Sequence, residues 1–401
     1  MTPPPLAGRL AELAVGVGAN VQPGQIVTVT ADLGMEEVVR EVVATAYRRG
    51  ARFVDVTYFD PRVKRARIER ADGETLGFVP PWYGARVREL GRCHSARVVV
   101  TAPSDPDALS GLDPERLGRD QLPALAEWME VLGERTVNWT IVPYPTMAWA
   151  RIVYPELDDE AAFAQLHRDV VHVGRLDAPD PAAAWRCRCD ELTAVGRRLN
   201  ALGLDALHFE GAGTDLTVGL LPSSTWIGGM ATTIDGLEHL PNVPTEEVFT
   251  TPDPERAEGV VRSTKPLVLV DGSIVRGLEV RFEGGRAVQI DAEDDVEVMR
   301  VRTALDEGAS RLGEIALVDR ESCVGQLGRV FYETLLDENA TSHIALGAAF
   351  EQAVSAEDAS RINHSGMHVD FMVGDDDVDV TGITRAAQER VPLLRRGIWQ
   401  I

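Results

Sequence analysis

Between Gln25 and Thr101, short β-branched runs take turns with a helical stretch, and that alternation limits the possible folds more than any other feature of the chain. Gln25-Ile-Val-Thr-Val-Thr30 reads as a strand entered through the turn Pro23-Gly24. Met35 to Arg49 reads as an amphipathic helix stopped by Gly50, and Ala51 to Tyr58 as a second strand. Ala96 to Thr101 and Asn138 to Pro143 supply two more strands, and a helix over Leu6 to Gly16 precedes them all. Strands that alternate with helices build βαβ units, so this half is expected to form an α/β domain with a mostly parallel sheet. Neither a Gly-x-Gly-x-x-Gly after the first strand nor a phosphate-loop lysine is present, which argues against a nucleotide site.

The pattern turns helical from Asp158 to Leu202, interrupted at Pro179 and Pro181, and the domain boundary is placed there: residues 1–190 and 191–401. Beyond it the period changes. Leu207 to Glu210 and Thr214 to Val218 read as short strands around the turn Gly211-Ala-Gly213. Leu267 to Asp291 reads as a meander with turns at Asp271-Gly272 and Gly284-Gly285. The second domain is therefore expected to be α+β, built on a curved, antiparallel, barrel-like sheet, and to carry the catalytic groups.

Composition narrows the possible partners. At 401 residues the chain is long enough for two cores, and a net charge of -23 opposes binding to nucleic acid or to an anionic membrane surface. No apolar run approaches a membrane span, and Met-Thr-Pro-Pro-Pro has neither the basic nor the apolar part of a signal peptide. Cys93, Cys187, Cys189 and Cys323 follow no disulfide or zinc-finger spacing. A cytoplasmic enzyme with reduced thiols is the expectation.

The chemistry concentrates between Gly313 and Asp370. Glu314 precedes the apolar run Ile-Ala-Leu-Val318, which places it at the start of a strand. His368 and Asp370 stand two apart in an alternating segment, so both side chains point to one face of a strand. Glu338 and His343 are five apart, a spacing that brings them together only across an irregular loop. Glu246 and Glu247 open Val-Phe-Thr-Thr, where a strand can turn only one of them inward; the pattern does not say which is ligand, base or solvated. Buried carboxylates beside imidazoles call for a compensating cation. A mixture of oxygen and nitrogen donors suits zinc, manganese or cobalt, and more than four ligands suits two ions sharing a carboxylate.

These segments resemble a known family, the aminopeptidase T and aminopeptidase S type of thermophilic metallopeptidases. The resemblance rests on Asn242-Val-Pro-Thr-Glu-Glu-Val-Phe-Thr250, Arg311-Leu-Gly-Glu-Ile-Ala-Leu-Val318, Phe331-Tyr-Glu-Thr-Leu-Leu-Asp-Glu-Asn339, Ser342-His-Ile-Ala-Leu-Gly347 and His368-Val-Asp-Phe-Met-Val-Gly374. It is strong from about Leu199 onward and looser before. It implies a homodimer whose two-metal centre removes N-terminal residues from peptides. The implied ligands are Glu314, Glu338, His343, His368, Asp370 and one of Glu246 or Glu247. One position departs from the pattern: the family's tyrosine, seven residues after the first ligand histidine, is here Phe350. That departure leaves room for an amidase acting on a small non-peptide amide. It also leaves room for a ring-cleaving dioxygenase with one iron on His343, His368 and Asp370, or for a binding protein that keeps the fold without turnover.

Overall fold

The computed structural model describes residues 5–105, 107–120, 125–269 and 273–401. They divide into two compact units: residues 1–187 with 230–245, and residues 188–229 with 246–401. The division falls within one helix, Pro181–Ala201, and the short excursion 230–245 rejoins the first unit.

In the first unit, β1 (Ile26–Asp32), β2 (Phe53–Phe59), β3 (Ala96–Thr101) and β4 (Asn138–Pro143) form a four-stranded parallel sheet in the order β2-β1-β3-β4. The helix after β1 spans Glu36–Arg48 and buries Val38, Val39, Val42 and Ala46, the spacing that marks it as amphipathic. Asp60 caps the next helix, Pro61–Arg70, by accepting the N–H of Arg62, while Pro61 occupies the first turn, where no hydrogen-bond donor is needed.

The second unit begins with β5 (Leu204–Gly211), β6 (Thr214–Leu220) and β7 (Ile227–Gly228). The excursion contributes the short pair β8 (Ala231–Thr232) and β9 (Glu238–His239) to the first unit. The chain then runs through β10 (Glu247–Thr250), β11 (Pro252–Arg262), β12 (Leu267–Val268), β13 (Ile274–Val275), β14 (Glu279–Glu283) and β15 (Arg286–Asp291). After a helix, Val296–Thr303, come β16 (Leu312–Val318), β17 (His343–Gly347), β18 (His368–Met372), β19 (Asp379–Thr384), β20 (Arg390–Arg395) and β21 (Ile398–Trp399). The expected meander is present as the antiparallel pairs β12–β13 and β14–β15. Its Asp271-Gly272 turn lies outside the described residues.

These strands make two main antiparallel sheets, ordered β15-β14-β11-β6-β5-β19-β20-β21 and β18-β17-β16-β10-β7. The barrel-like expectation is corrected: among the described residues neither sheet closes, and each ends in edge strands. One core joins them. Phe209, Leu216, Val218, Val261 and Phe282 from the larger sheet pack in the same cluster as Val248, Ile315, Leu317, Ile344, Leu346 and Phe371 from the smaller one. The smaller sheet thus spends one of its faces on the core and keeps the other for chemistry.

Candidate metal centre

Residues directly opposite on neighbouring strands share a face of the sheet. Phe249 pairs with Ala316, Ala316 with His343, and His343 with Met372. Glu314 pairs with Ala345, Ala345 with Asp370, and Gly347 with His368. Glu247 lies two residues before Phe249, so Glu247, Glu314, His343, His368 and Asp370 all stand on the face turned away from the core. Between them lie Ala316 and Ala345, whose methyl groups leave the middle of the face open. Glu314 sits inside β16, beyond a register shift after Leu312, and not at the strand's start as its sequence position suggested.

Glu338 arrives from a different element. It is the last residue of a one-turn helix, Thr334–Glu338. Buried Asp337 accepts the N–H groups of Phe331 (2.8 Å) and Glu333 (3.3 Å), which curls the segment back on itself. Glu333 accepts the N–H of Leu336 and caps the turn. The irregular connection anticipated between Glu338 and His343 is the turn over residues 339–342, which joins the helix end to the start of β17.

Six side chains converge in three overlapping groups, each with one ligand atom per residue and all its atoms within 4.8 Å. The groups are Glu247 with Glu314 and His343, Glu314 with His368 and Asp370, and Glu338 with His343 and Asp370. Glu314, His343 and Asp370 each belong to two groups, so the three sets close into a ring. His368 Nε2 lies 3.1 Å from Glu314 Oε2 and 3.3 Å from Asp370 Oδ1, and His343 Nε2 lies 3.1 Å from Glu247 Oε2. The second nitrogen of His368 is anchored on the Ala348 carbonyl at 2.8 Å, which fixes the ring's orientation.

Glu246 is not part of this ring. Adjacent strand residues point to opposite sides, and its fully buried carboxylate accepts from Arg188 Nε at 2.7 Å and from the Cys323 thiol at 2.8 Å. Of the two glutamates that the sequence left open, Glu247 reaches the cluster. Sequence reasoning did not find Arg188 or Asn339, which hold Glu246; neither carries a spacing signal that links it to the site.

Electrostatics describe a centre crowded with negative charge. Burial first, then Asp370 and Glu247, push the Glu338 carboxyl well above its usual range, and burial raises Glu314 despite its bond to His368. Burial opposes charge on His343, but the contact with Glu247 and the nearby Asp370 and Glu314 outweigh it and lift its pKa to about 10. His368 is raised well above its ordinary value against the same burial, chiefly by Asp370, whose own pKa is lowered in turn. Protons are thus held where cations would compensate four carboxylates. Oε2 of Glu247 is buried without a well-directed hydrogen-bond partner, as an atom reserved for a ligand is. The donor set fits divalent metal ions.

A family profile described as thermophilic metalloprotease (M29) matches residues 6–399. The chain belongs to this metalloprotease family. It is 42% identical over 402 residues to aminopeptidase T of Thermus thermophilus, covering 98% of each. It is 36% identical over 402 residues to aminopeptidase 2 of Geobacillus stearothermophilus, covering 98% of this chain and 97% of that one. A solved structure of wild-type AmpT from Thermus thermophilus matches with a TM-score of 0.88 at 42% identity, covering 98% of this chain and 99% of its own. The family likeness therefore extends through the N-terminal half, where the motifs resemble it more loosely. None of the described helices is long and apolar enough to cross a membrane.

Proposed function

We propose that this chain is a metal-dependent aminopeptidase that removes N-terminal residues from peptides with two divalent ions, cobalt, zinc or manganese, held by Glu247, Glu314, Glu338, His343, His368 and Asp370. The closed ring of three overlapping donor groups carries this reading, because three shared members give six ligands to adjacent positions. Bound there, the ions supply an acidified water and a Lewis acid for the scissile carbonyl. A Glu247 oxygen left free of metal would receive a proton from the attacking water and pass it to the leaving amine. The substrate's free α-amine would bind at one of the ions or at a carboxylate oxygen that the ions leave free, which would restrict cleavage to the first residue. A homodimer, as the family resemblance implies, completes the proposal.

A single iron on His343, His368 and Asp370 would leave Glu247, Glu314 and Glu338 as crowded carboxylates with no counter-ion, so the hydrolase accounts for more of the site. The test is release of p-nitroaniline from leucyl-p-nitroanilide by chelator-stripped protein with cobalt, zinc, manganese or iron(II) added back singly. Restored turnover with cobalt, zinc or manganese is expected. No turnover with any of them, or turnover already complete in the stripped protein, would overturn the proposal.

A further inference from the structure

Glu246 sits one residue from Glu247, and Asn339 one residue from Glu338, and a single hydrogen bond joins the two neighbours. The N–H of Glu246 donates to Asn339 Oδ1 at 2.6 Å. Asn339 is fully buried, and its amide nitrogen donates to the Leu335 carbonyl at 2.8 Å, within the turn that ends in Glu338. Its own carbonyl accepts from Ser322 Oγ at 3.0 Å. On the other side, the Glu246 carboxylate is held by Arg188 and by Cys323, the residue that follows Ser322. Arg188 is largely buried and also reaches Glu191 at 3.0 Å.

The two segments brought together are far apart in the chain and belong to different elements, a strand start and a helix end. Nothing in local secondary structure sets their spacing. A buried ion pair is a poor source of stability compared with apolar residues of the same volume, but its geometry is directional and defines one arrangement. A carboxylate that is gripped at both oxygens while its own N–H is also fixed has lost its freedom to translate or rotate. Its covalent neighbour inherits that restriction.

We infer that Glu246, Arg188 and Asn339 are positioning residues that set Glu247 and Glu338 at the separation the metal centre needs, and that Glu246 is neither a ligand nor the base. The inference rests on the proposed metal centre. It gives the second glutamate of the Glu-Glu pair a task that the ligand set leaves unassigned. Groups behind metal ligands typically change affinity or activity by about 10- to 100-fold when removed.

The experiment compares Glu246→Gln, Arg188→Met, Arg188→Lys and Asn339→Ala with the parent, each as full-length protein stripped of metal. Zinc stoichiometry and affinity are read by competition with a chromophoric chelator, and kcat and KM on leucyl-p-nitroanilide are read at saturating zinc. Glu246→Gln, Arg188→Met and Asn339→Ala are expected to bind as many ions as the parent with affinity about 10- to 100-fold weaker. Their kcat falls further than KM rises, and Arg188→Lys recovers most of what Arg188→Met loses. Parental affinity and kcat in Arg188→Met and Asn339→Ala would overturn the inference. So would loss of one zinc equivalent in Glu246→Gln, which would make Glu246 a ligand. If a variant fails to fold, Asn339→Asp, which keeps the acceptor for the Glu246 N–H, decides the same question against Arg188→Lys. Zinc binding without turnover in the parent would refute the peptidase but leave the affinity comparison decisive, whereas a parent that binds no zinc would refute both.

Discussion

Glu247 Oε2 lies 3.1 Å from His343 Nε2, and each residue opens its strand, β10 and β17, on the two sides of β16. The contact links two of the three donor groups, because His343 also belongs to the set that contains Glu338. Glu247→Gln keeps the shape but removes the charge. On the proposed mechanism it should lower zinc affinity by at least about 10-fold and kcat/KM by roughly 10³-fold, since the proposed ligand and proton acceptor would be lost together. Zinc retained after dialysis and steady-state kinetics at saturating zinc check this; parental values in both would remove Glu247 from the centre.

With metal removed by a chelator, the protons these side chains would hold give the protein's stability an unusual pH dependence. An unfolded histidine titrates near 6.5, whereas folded His343 keeps its proton up to about 10. Between those values the folded protein binds more protons than the unfolded chain, so stability is fully present below about pH 6.5 and is lost as pH rises through about 10. His368 and Glu338, both raised, act in the same direction, and lowered Asp370 matters only in acid. Metal ions displace these protons. The Tm of chelated protein should therefore fall between pH 7 and 9.5 while that of zinc-loaded protein changes far less. Calorimetric titration with zinc at pH 7 in two buffers should show proton release. Parallel Tm slopes would contradict the account.

How much of this was legible from the residues varies with the range of the interaction. The parallel strands of the first unit and the two-residue spacing of His368 and Asp370 are local patterns, and both appear as read. The choice between Glu246 and Glu247 was not legible, because alternation fixes only that they diverge; which one faces the core side depends on Arg188 and Cys323, distant in sequence. Glu314 reads as a strand entrance because the unbroken apolar run begins only after it, at Ile315, whereas β16 already includes Leu312 and Gly313. Gly313 packs tightly inside the sheet, where an added Cβ would stand 2.3 Å from the carbonyls of Gly347 and Ala348. Closure into a barrel was likewise undecidable, since strand count and turn chemistry do not determine whether the two edge strands meet.

Phe350 stands where the family resemblance implies a tyrosine, and its ring centroid lies 5.1 Å from that of His368 and 5.3 Å from that of Phe249. A phenyl ring there offers no hydrogen-bond donor to a developing oxyanion. Adding one back with Phe350→Tyr should raise kcat on leucyl-p-nitroanilide by as much as about 10²-fold, the scale of a single oxyanion donor, with little change in KM. An unchanged or lower kcat would show that this chain stabilises the oxyanion through other groups.

Gly347 ends β17 opposite His368, with φ at +103°, and a Cβ added there would stand 2.1 Å from the Met367 carbonyl oxygen. That carbonyl accepts the N–H of Ala348, whose own carbonyl holds His368 Nδ1. Gly347→Ala therefore strains its own backbone and pushes on both anchors of a metal-facing imidazole. Gly284, at an exposed hairpin turn with φ +56° and no atom within 4 Å of the added Cβ, isolates the first effect. Gly284→Ala should cost about 1 kcal/mol of stability in urea unfolding and leave zinc affinity unchanged. Gly347→Ala should cost roughly 2–4 kcal/mol and weaken zinc binding as well, because the same displacement that relieves the clash moves His368. Equal costs for the two variants, with zinc affinity intact in both, would mean that β17 yields at Gly347 without transmitting the shift. His368 would then be held by its contacts with Glu314 and Asp370 and not by the backbone turn beneath it.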